Sequence, residues 1–208
     1  MTDFSLIETL RFEPKTGFVR LRLHLARLTR SARRLGFASA EAAEAQLKDA
    51  VRGAAGPLRV RLTLDRNGAI AVTTAPFTAL PDDTVWRARI AAARLDSSNR
   101  LLRVKTTRRE IFEAARGEFT PEEADEVILL NEKGEVCEGT ITSVFVDDGS
   151  GMLKTPPISC GLLAGVLRTD LICQRRARVS RLSPADLESG RLYLGNSLRG
   201  LIRAKLGV

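Results

Sequence analysis

The sequence predicts an α+β protein, with short strands and helices mixed in two subdomains, and three observations carry that expectation. Strand-like alternation and helix-like periodicity follow one another along the whole chain. Two hairpin signals, Arg66-Asn67-Gly68 and Glu132-Lys133-Gly134, each join a pair of apolar runs. A stretch without any period, LDSSNRLL at 95–102, separates a smaller N-terminal subdomain, 1–94, from a larger one, 103–208.

Residues 3–12 read as a strand, and 17–21 as a second after the EPKTG turn. From Arg22 the pattern turns helical, with Leu25, Leu28, Ala32 and Leu35 on one face and Gly36 as the stop. Ala40 to Ala55 reads as an Ala-rich helix, ended by Gly53 and Gly56. PLRVRLTLD and AIAVTTAPF form the first hairpin, and 84–93 a further strand. Beyond the expected linker, TRREIFEAARGEF is helical, DEVILLN and EVCEG form the second hairpin, and TITSVFV continues its sheet. MLKTPP stops that run, a helix begins at about Leu163, Ser183-Pro184 opens a short helix, and RLYLGNS reads as the final strand.

Composition narrows the function classes. With 44% hydrophobic and 28% charged residues among 208, the chain can build a core. It contains no run of about 18 apolar residues to cross a membrane, and its opening segment has no apolar block of a signal peptide. Cys137, Cys160 and Cys173 are odd in number and widely spaced, which fits a reducing cytoplasm. A single histidine, His24, argues against a His-ligated metal site or a Ser-His-Asp triad. The net charge of +8 invites a nucleic-acid reading. Against it, only 5% of residues are aromatic and the arginines are spread throughout, so the charge identifies no partner.

Lysine is the informative cation, because only six of the 33 basic residues are lysine. An amine that must lose its proton and attack a carbonyl cannot be replaced by arginine. Lys15, Lys48, Lys133, Lys154 and Lys205 fall in turns, on an exposed helical face, after a strand or near the terminus. Lys105, in LLRVKTTRR, follows an apolar segment and precedes a helix; by position alone the reading favoured is a domain-edge lysine. Glu138, between Cys137 and Gly139, is either a solvated turn residue or a carboxylate aimed at a buried cationic ring nitrogen. The Gly161–Arg168 segment feeds a helix from a Gly-bounded loop, an arrangement that offers N–H groups to an anion. Gly195-Asn196-Ser197 is a second such cradle, and Arg27 lies on the first helix. A lysine, a carboxylate, two anion cradles and an arginine are together what a pyridoxal phosphate site requires.

The same landmarks, in order, carry a resemblance. ETL (8–10), HLARLTRSARRLGF (24–37), KTTRR (105–109), DEVILLNEKGEVCEGTITSVFV (125–146), KTPP (154–157), CGLLAGVLR (160–168) and GNSLRGL (195–201) span nearly the whole chain. The sequence resembles the class IV pyridoxal-phosphate enzymes, which include branched-chain and D-amino-acid aminotransferases and 4-amino-4-deoxychorismate lyase. The resemblance implies the two-subdomain fold of that family and pyridoxal 5′-phosphate as cofactor. It makes Lys105 the Schiff-base lysine and proton shuttle, Glu138 the partner of the pyridine nitrogen, and Arg27 a phosphate ligand. Val166 and Leu167 become backbone phosphate anchors, Asn196 and Ser197 the other phosphate-side loop, and His24 a structural member of the Arg27 motif. Thr140 and Thr142 lie beside Glu138 and are candidates to line the ring face.

Within the family, the Lys105/Arg109 spacing and the wording of the later motifs resemble the lyases, which release pyruvate and 4-aminobenzoate for folate synthesis. Branched-chain enzymes usually place a tyrosine five positions after the lysine. Here Glu110 stands there and the single tyrosine is Tyr193, so the partner of the cofactor's phenolic oxygen is unassigned. The substrate expected is a small dicarboxylate, with Arg109, Arg199 and Thr140 as candidates to receive it. The alternative is a class IV aminotransferase acting on branched-chain or D-amino acids. The resemblance further implies a cytoplasmic homodimer, with aminodeoxychorismate synthase as functional partner and neither nucleic acid nor membrane.

Overall fold

Both hairpin signals form where expected, and for a local reason. A computed structural model describes residues 4–207. In the first turn the Asp65 carboxylate accepts the N–H groups of Asn67 and Ala69 at 2.9 and 2.8 Å. In the second, the Asn131 side-chain oxygen accepts those of Lys133 and Glu135, both at 3.0 Å. Each turn contains a glycine at positive φ, Gly68 at 94° and Gly134 at 75°.

The chain divides into two units, but not at the break expected. The first runs to Ala79 and includes Val104–Arg108; the second takes Leu80–Arg103 and everything from Arg109 onward. The strand Val85–Leu95 belongs to the second unit, and the 95–102 stretch stays with it as a turn and a 3-10 helix, Arg100–Arg103. The segment around Lys105 returns to the first unit because its backbone pairs with the first strand. The boundaries 1–94 and 103–208 are therefore corrected, and 95–102 is no linker.

The first unit contains β1 (Leu6–Glu13), β2 (Gly17–Phe18), α1 (Leu21–Leu35), α2 (Ala43–Ala50), β3 (Leu58–Leu64) and β4 (Ile70–Pro76). Its antiparallel sheet has the order β2-β1-β3-β4. Leu6, Leu10, Leu28, Ala32, Leu47, Val60, Leu62 and Leu64 form its core. Gly36 ends α1 at φ 67°, as its position predicts, whereas α2 is half the length expected.

The second unit contains β5 (Val85–Leu95), α3 (Glu110–Arg116), β6 (Glu126–Asn131), β7 (Val136–Gly139), β8 (Ser143–Asp147), β9 (Leu153–Thr155), α4 (Val166–Cys173), β10 (Ala177–Val179), α5 (Pro184–Ser189), β11 (Arg191–Asn196) and β12 (Gly200–Leu206). The sheet order is β10-β9-β8-β11-β12-β5-β6-β7, and an additional β7–β8 pairing closes six of these strands into a ring. Every residue of β6 is buried, as its unbroken apolar run leads one to expect. Ile128 and Leu130 enter one cluster with Val144, Leu192 and Leu194, while Val127 and Leu129 enter another with Ala115 of α3. RLYLGNS is not the last strand, because GLIRAKL pairs back on it. No helix among the described residues is long and apolar enough to cross a membrane.

Candidate functional site

The first unit buries a polar cluster in its core. Along β1, Leu6, Glu8 and Leu10 are in phase, so Glu8 points where an apolar residue is expected and is 3% exposed. On α1 the buried stripe is His24, Arg27, Leu28, Ser31 and Ala32, rotated from the all-apolar face toward its polar members. Arg27 Nε donates to Glu8 Oε1 at 2.8 Å and Nη2 to Oε2 at 2.6 Å. His24 Nδ1 lies 2.6 Å from the same Oε2. Burial alone pushes the Glu8 carboxyl up; the Arg27 charge and the hydrogen bonds from His24 and Arg27 more than offset it, leaving the pKa at about 2. Burial pushes the His24 pKa down against the pull of Glu8, with the charges of Arg27 and Lys105 acting in the same direction as burial. The neutral imidazole therefore carries its proton on Nδ1, as donor to Glu8.

Lys105 stands in the same unit, half-buried, on an extended segment laid along β1. Its carbonyl accepts the Ile7 N–H at 3.0 Å, Thr107 N–H donates to the Ser5 carbonyl at 2.9 Å, and Thr106 pairs with Leu6. The lysine backbone is thus fixed by the strand that carries Glu8.

In the second unit, Glu138 lies near the end of β7, 6% exposed, and its Oε1 accepts the Leu163 N–H at 3.0 Å. Three residues beyond Leu163, Val166 and Leu167 open α4, whose cap residue is Gly165 and whose first turn carries no acid and no side-chain cap. A Cβ on Gly165 would come within 2.5 Å of Ser143 Oγ, so a side chain there would have to displace that hydroxyl. Arg168, also in that turn, is buried; its Nη2 donates to the Pro156 carbonyl at 2.7 Å, while Nε has no hydrogen-bond partner among the described residues. Burial lowers the Arg168 pKa, and the Glu138 charge works against that.

The remaining sequence candidates have partners of their own. The Thr140 hydroxyl donates to Glu126, and Thr142 does the same. Arg109 Nη2 donates to the Thr140 carbonyl at 2.6 Å, and its guanidinium stands 5.1 Å from the Phe112 ring centre. Asn196 ends β11 and closes the turn that follows: its amide donates to the Ile141 carbonyl at 3.2 Å and its oxygen accepts the N–H groups of Leu198 and Arg199. Ser197 is buried, and Arg199 lies 6.0 Å over the Trp86 ring. The first unit thus gathers Lys105, Arg27, His24 and Glu8, and the second gathers Glu138, the α4 N-terminus and the 196–199 turn. Sequence reasoning passed over Glu8, Glu126 and Arg168 as functional residues. The two acids had a signal, each being in phase with apolar neighbours on a strand, whereas Arg168 had none.

The amino-transferase class IV family model matches residues 5–206. No curated protein matches. Among solved structures, a protein from Mesorhizobium loti provisionally described as an amino-acid aminotransferase is 52% identical, with a TM-score of 0.96 over 99% of this chain and 100% of its own. The 4-amino-4-deoxychorismate lyase from Pseudomonas aeruginosa shares the fold at 24% identity, TM-score 0.81, over 97% of this chain and 82% of its own. The T.th. branched-chain amino acid aminotransferase, solved with N-(5′-phosphopyridoxyl)-L-glutamate, does so at 21%, TM-score 0.83, over 97% and 76%.

Proposed function

The chain belongs to the class IV aminotransferase family, whose members depend on pyridoxal phosphate, and from that premise we propose that it is a 4-amino-4-deoxychorismate lyase, releasing pyruvate and 4-aminobenzoate. One observation carries the cofactor assignment. The N–H that binds the buried Glu138 carboxylate, on Leu163, precedes the uncapped start of α4 by three residues, no more than about 11 Å of chain. An acid for a ring nitrogen and a helix terminus for a phosphate are thus set side by side in one unit, and the residues present fit the group.

Pyridoxal phosphate supplies a cationic ring that takes up the electron pair left when a bond to the substrate's α-carbon breaks. Glu138 holds the proton on the ring nitrogen by charge and hydrogen bonding. The N–H groups of Val166 and Leu167 and the Asn196-Ser197 turn would bind the phosphate, the family motif makes Arg27 a further ligand for it, and Glu8 holds the Arg27 guanidinium in one plane. Lys105 Nζ takes the proton from the α-carbon. Cleavage of the ring C–O bond would release enolpyruvate and make the substrate ring aromatic. The proton held on Lys105 would pass to the enolpyruvate methylene carbon to give pyruvate, so the chain has only to orient the substrate and move that proton. Arg109, fastened to the turn that follows Glu138, is the side chain we assign to a substrate carboxylate, with Arg199 as a second.

Glu110 supports the lyase reading over a branched-chain transaminase, since this exposed first residue of α3 occupies the position of the expected tyrosine. The 52% identical relative, described as an aminotransferase, favours the second reading, transamination of an amino acid. Supplying aminodeoxychorismate to the cofactor-loaded protein separates them. The lyase yields 4-aminobenzoate and pyruvate in equal amounts; conversion of the cofactor by common amino acids with no 4-aminobenzoate overturns it. The same reading makes the protein a cytoplasmic homodimer that follows aminodeoxychorismate synthase.

A further inference from the structure

Glu126, the first residue of β6, is completely buried, and the chemistry above does not use it. Burying a carboxylate is costly unless charge-assisted hydrogen bonds surround it, and here one turn supplies four of them. Oε1 accepts the Thr140 N–H at 3.1 Å and the Thr140 hydroxyl at 2.5 Å; Oε2 accepts the Ile141 N–H at 3.1 Å and the Thr142 hydroxyl at 2.9 Å. Arg116 Nη1, 3.1 Å from Oε1, supplies the opposite charge. Gly139 admits the carboxylate, since a Cβ there would come within 2.9 Å of Oε2.

These donors belong to the three residues that follow Gly139, immediately after Glu138. Glu138 pairs with Leu129 of β6 on one side, but on the other the β7–β8 ladder has a single paired position, Glu138 with Ser143, so that side is held by little strand pairing. Anchorage of the turn completes the placement on that side. Arg109 and Asn196 bind the carbonyls of Thr140 and Ile141, and Glu126 takes up the turn's N–H and hydroxyl donors. A glutamine at 126 would turn an NH2 group toward donors, leaving half of them without an acceptor.

We propose that Glu126 is a positioning residue for Glu138, holding the 140–142 turn so that the Glu138 carboxylate stands in register for the pyridine nitrogen. The proposal rests on the pyridoxal phosphate reading of Glu138. Its test is a double-mutant cycle read as pyridoxal phosphate affinity, by titration of the visible absorbance band, for wild type, E126Q, E138Q and E126Q/E138Q. In the wild-type background E126Q weakens binding about ten- to a hundredfold, the cost of hydrogen bonds to a charged group. In the E138Q background the same change costs less than about twofold, because its effect passes through Glu138. Should E126Q fail to fold, T142V, which removes one donor and keeps the charge, serves in the same cycle. An unchanged affinity, or an equal loss in both backgrounds, overturns the proposal alone. A wild-type chain that binds no pyridoxal phosphate overturns the proposed function and this proposal with it.

Discussion

Glu8 and Arg27 meet through two parallel hydrogen bonds, of 2.8 and 2.6 Å, with both side chains buried between β1 and α1. The fork geometry fixes the plane of the guanidinium as well as its charge. His24 shares the carboxylate from the same helix, one turn earlier. An arginine on a helix face would ordinarily sweep several rotamers; this one is held in place by an acid that takes the position of a core side chain.

Breaking that pair from one side leaves a buried charge uncompensated. Glu8→Ala is expected to destabilise the protein by about 3–5 kcal/mol in urea unfolding, whereas the apolar double replacement Glu8→Leu/Arg27→Met recovers most of the loss. A loss below about 1 kcal/mol for Glu8→Ala would contradict the pairing.

The cluster also sets a response to acid. Both pKa values are lower in the folded chain than the ordinary 4.5 and 6.5, so the unfolded chain binds more protons and stability falls as pH falls. The His24 contribution is complete above pH 6.5 and declines below it; that of Glu8 declines from about pH 4.5 toward 2. Urea midpoints measured from about pH 7 to 5 should drop more steeply for wild type than for His24→Asn. Equal slopes would show that His24 is not held neutral.

In the second unit, Gly161 opens the loop that leads to α4. It has φ 90°, and a Cβ there would stand 2.8 Å from Ser97 Cα, a backbone atom that cannot swing aside. Gly161→Ala is expected to cost about 2–4 kcal/mol, read as a lower urea midpoint. It also displaces Leu163, whose N–H binds Glu138, so pyridoxal phosphate affinity should fall with it.

Much of this was legible in the chain, and the exceptions share causes. Turns were readable because Asp65 and Asn131 close them locally, within four residues. The final strand, β12, was missed because Gly195-Asn196-Ser197, read as an anion cradle, also leads into the turn that folds β12 back on β11. The 95–102 stretch lacks periodicity, yet Ser97 binds Glu132 through its N–H and hydroxyl, so it is held by a distant partner. At the site, Lys105, Glu138 and Arg27 stood out by residue type and motif. Glu8 and Glu126 were visible as acids in phase with Leu6 and Leu10, and with Ile128 and Leu130, but a strand rule that counts apolar positions treats them as interruptions. The partners that make such buried acids stable, Arg27 on a helix and the 140–142 turn, lie 14 to 19 residues away.

The central claim is that one of six lysines, Lys105, forms the imine with pyridoxal phosphate. Borohydride reduction of the cofactor-treated protein followed by peptide mapping decides it. A single modified peptide containing Lys105, with no label in Lys105→Ala, is the predicted result. Label on another lysine, or none at all, would contradict the account.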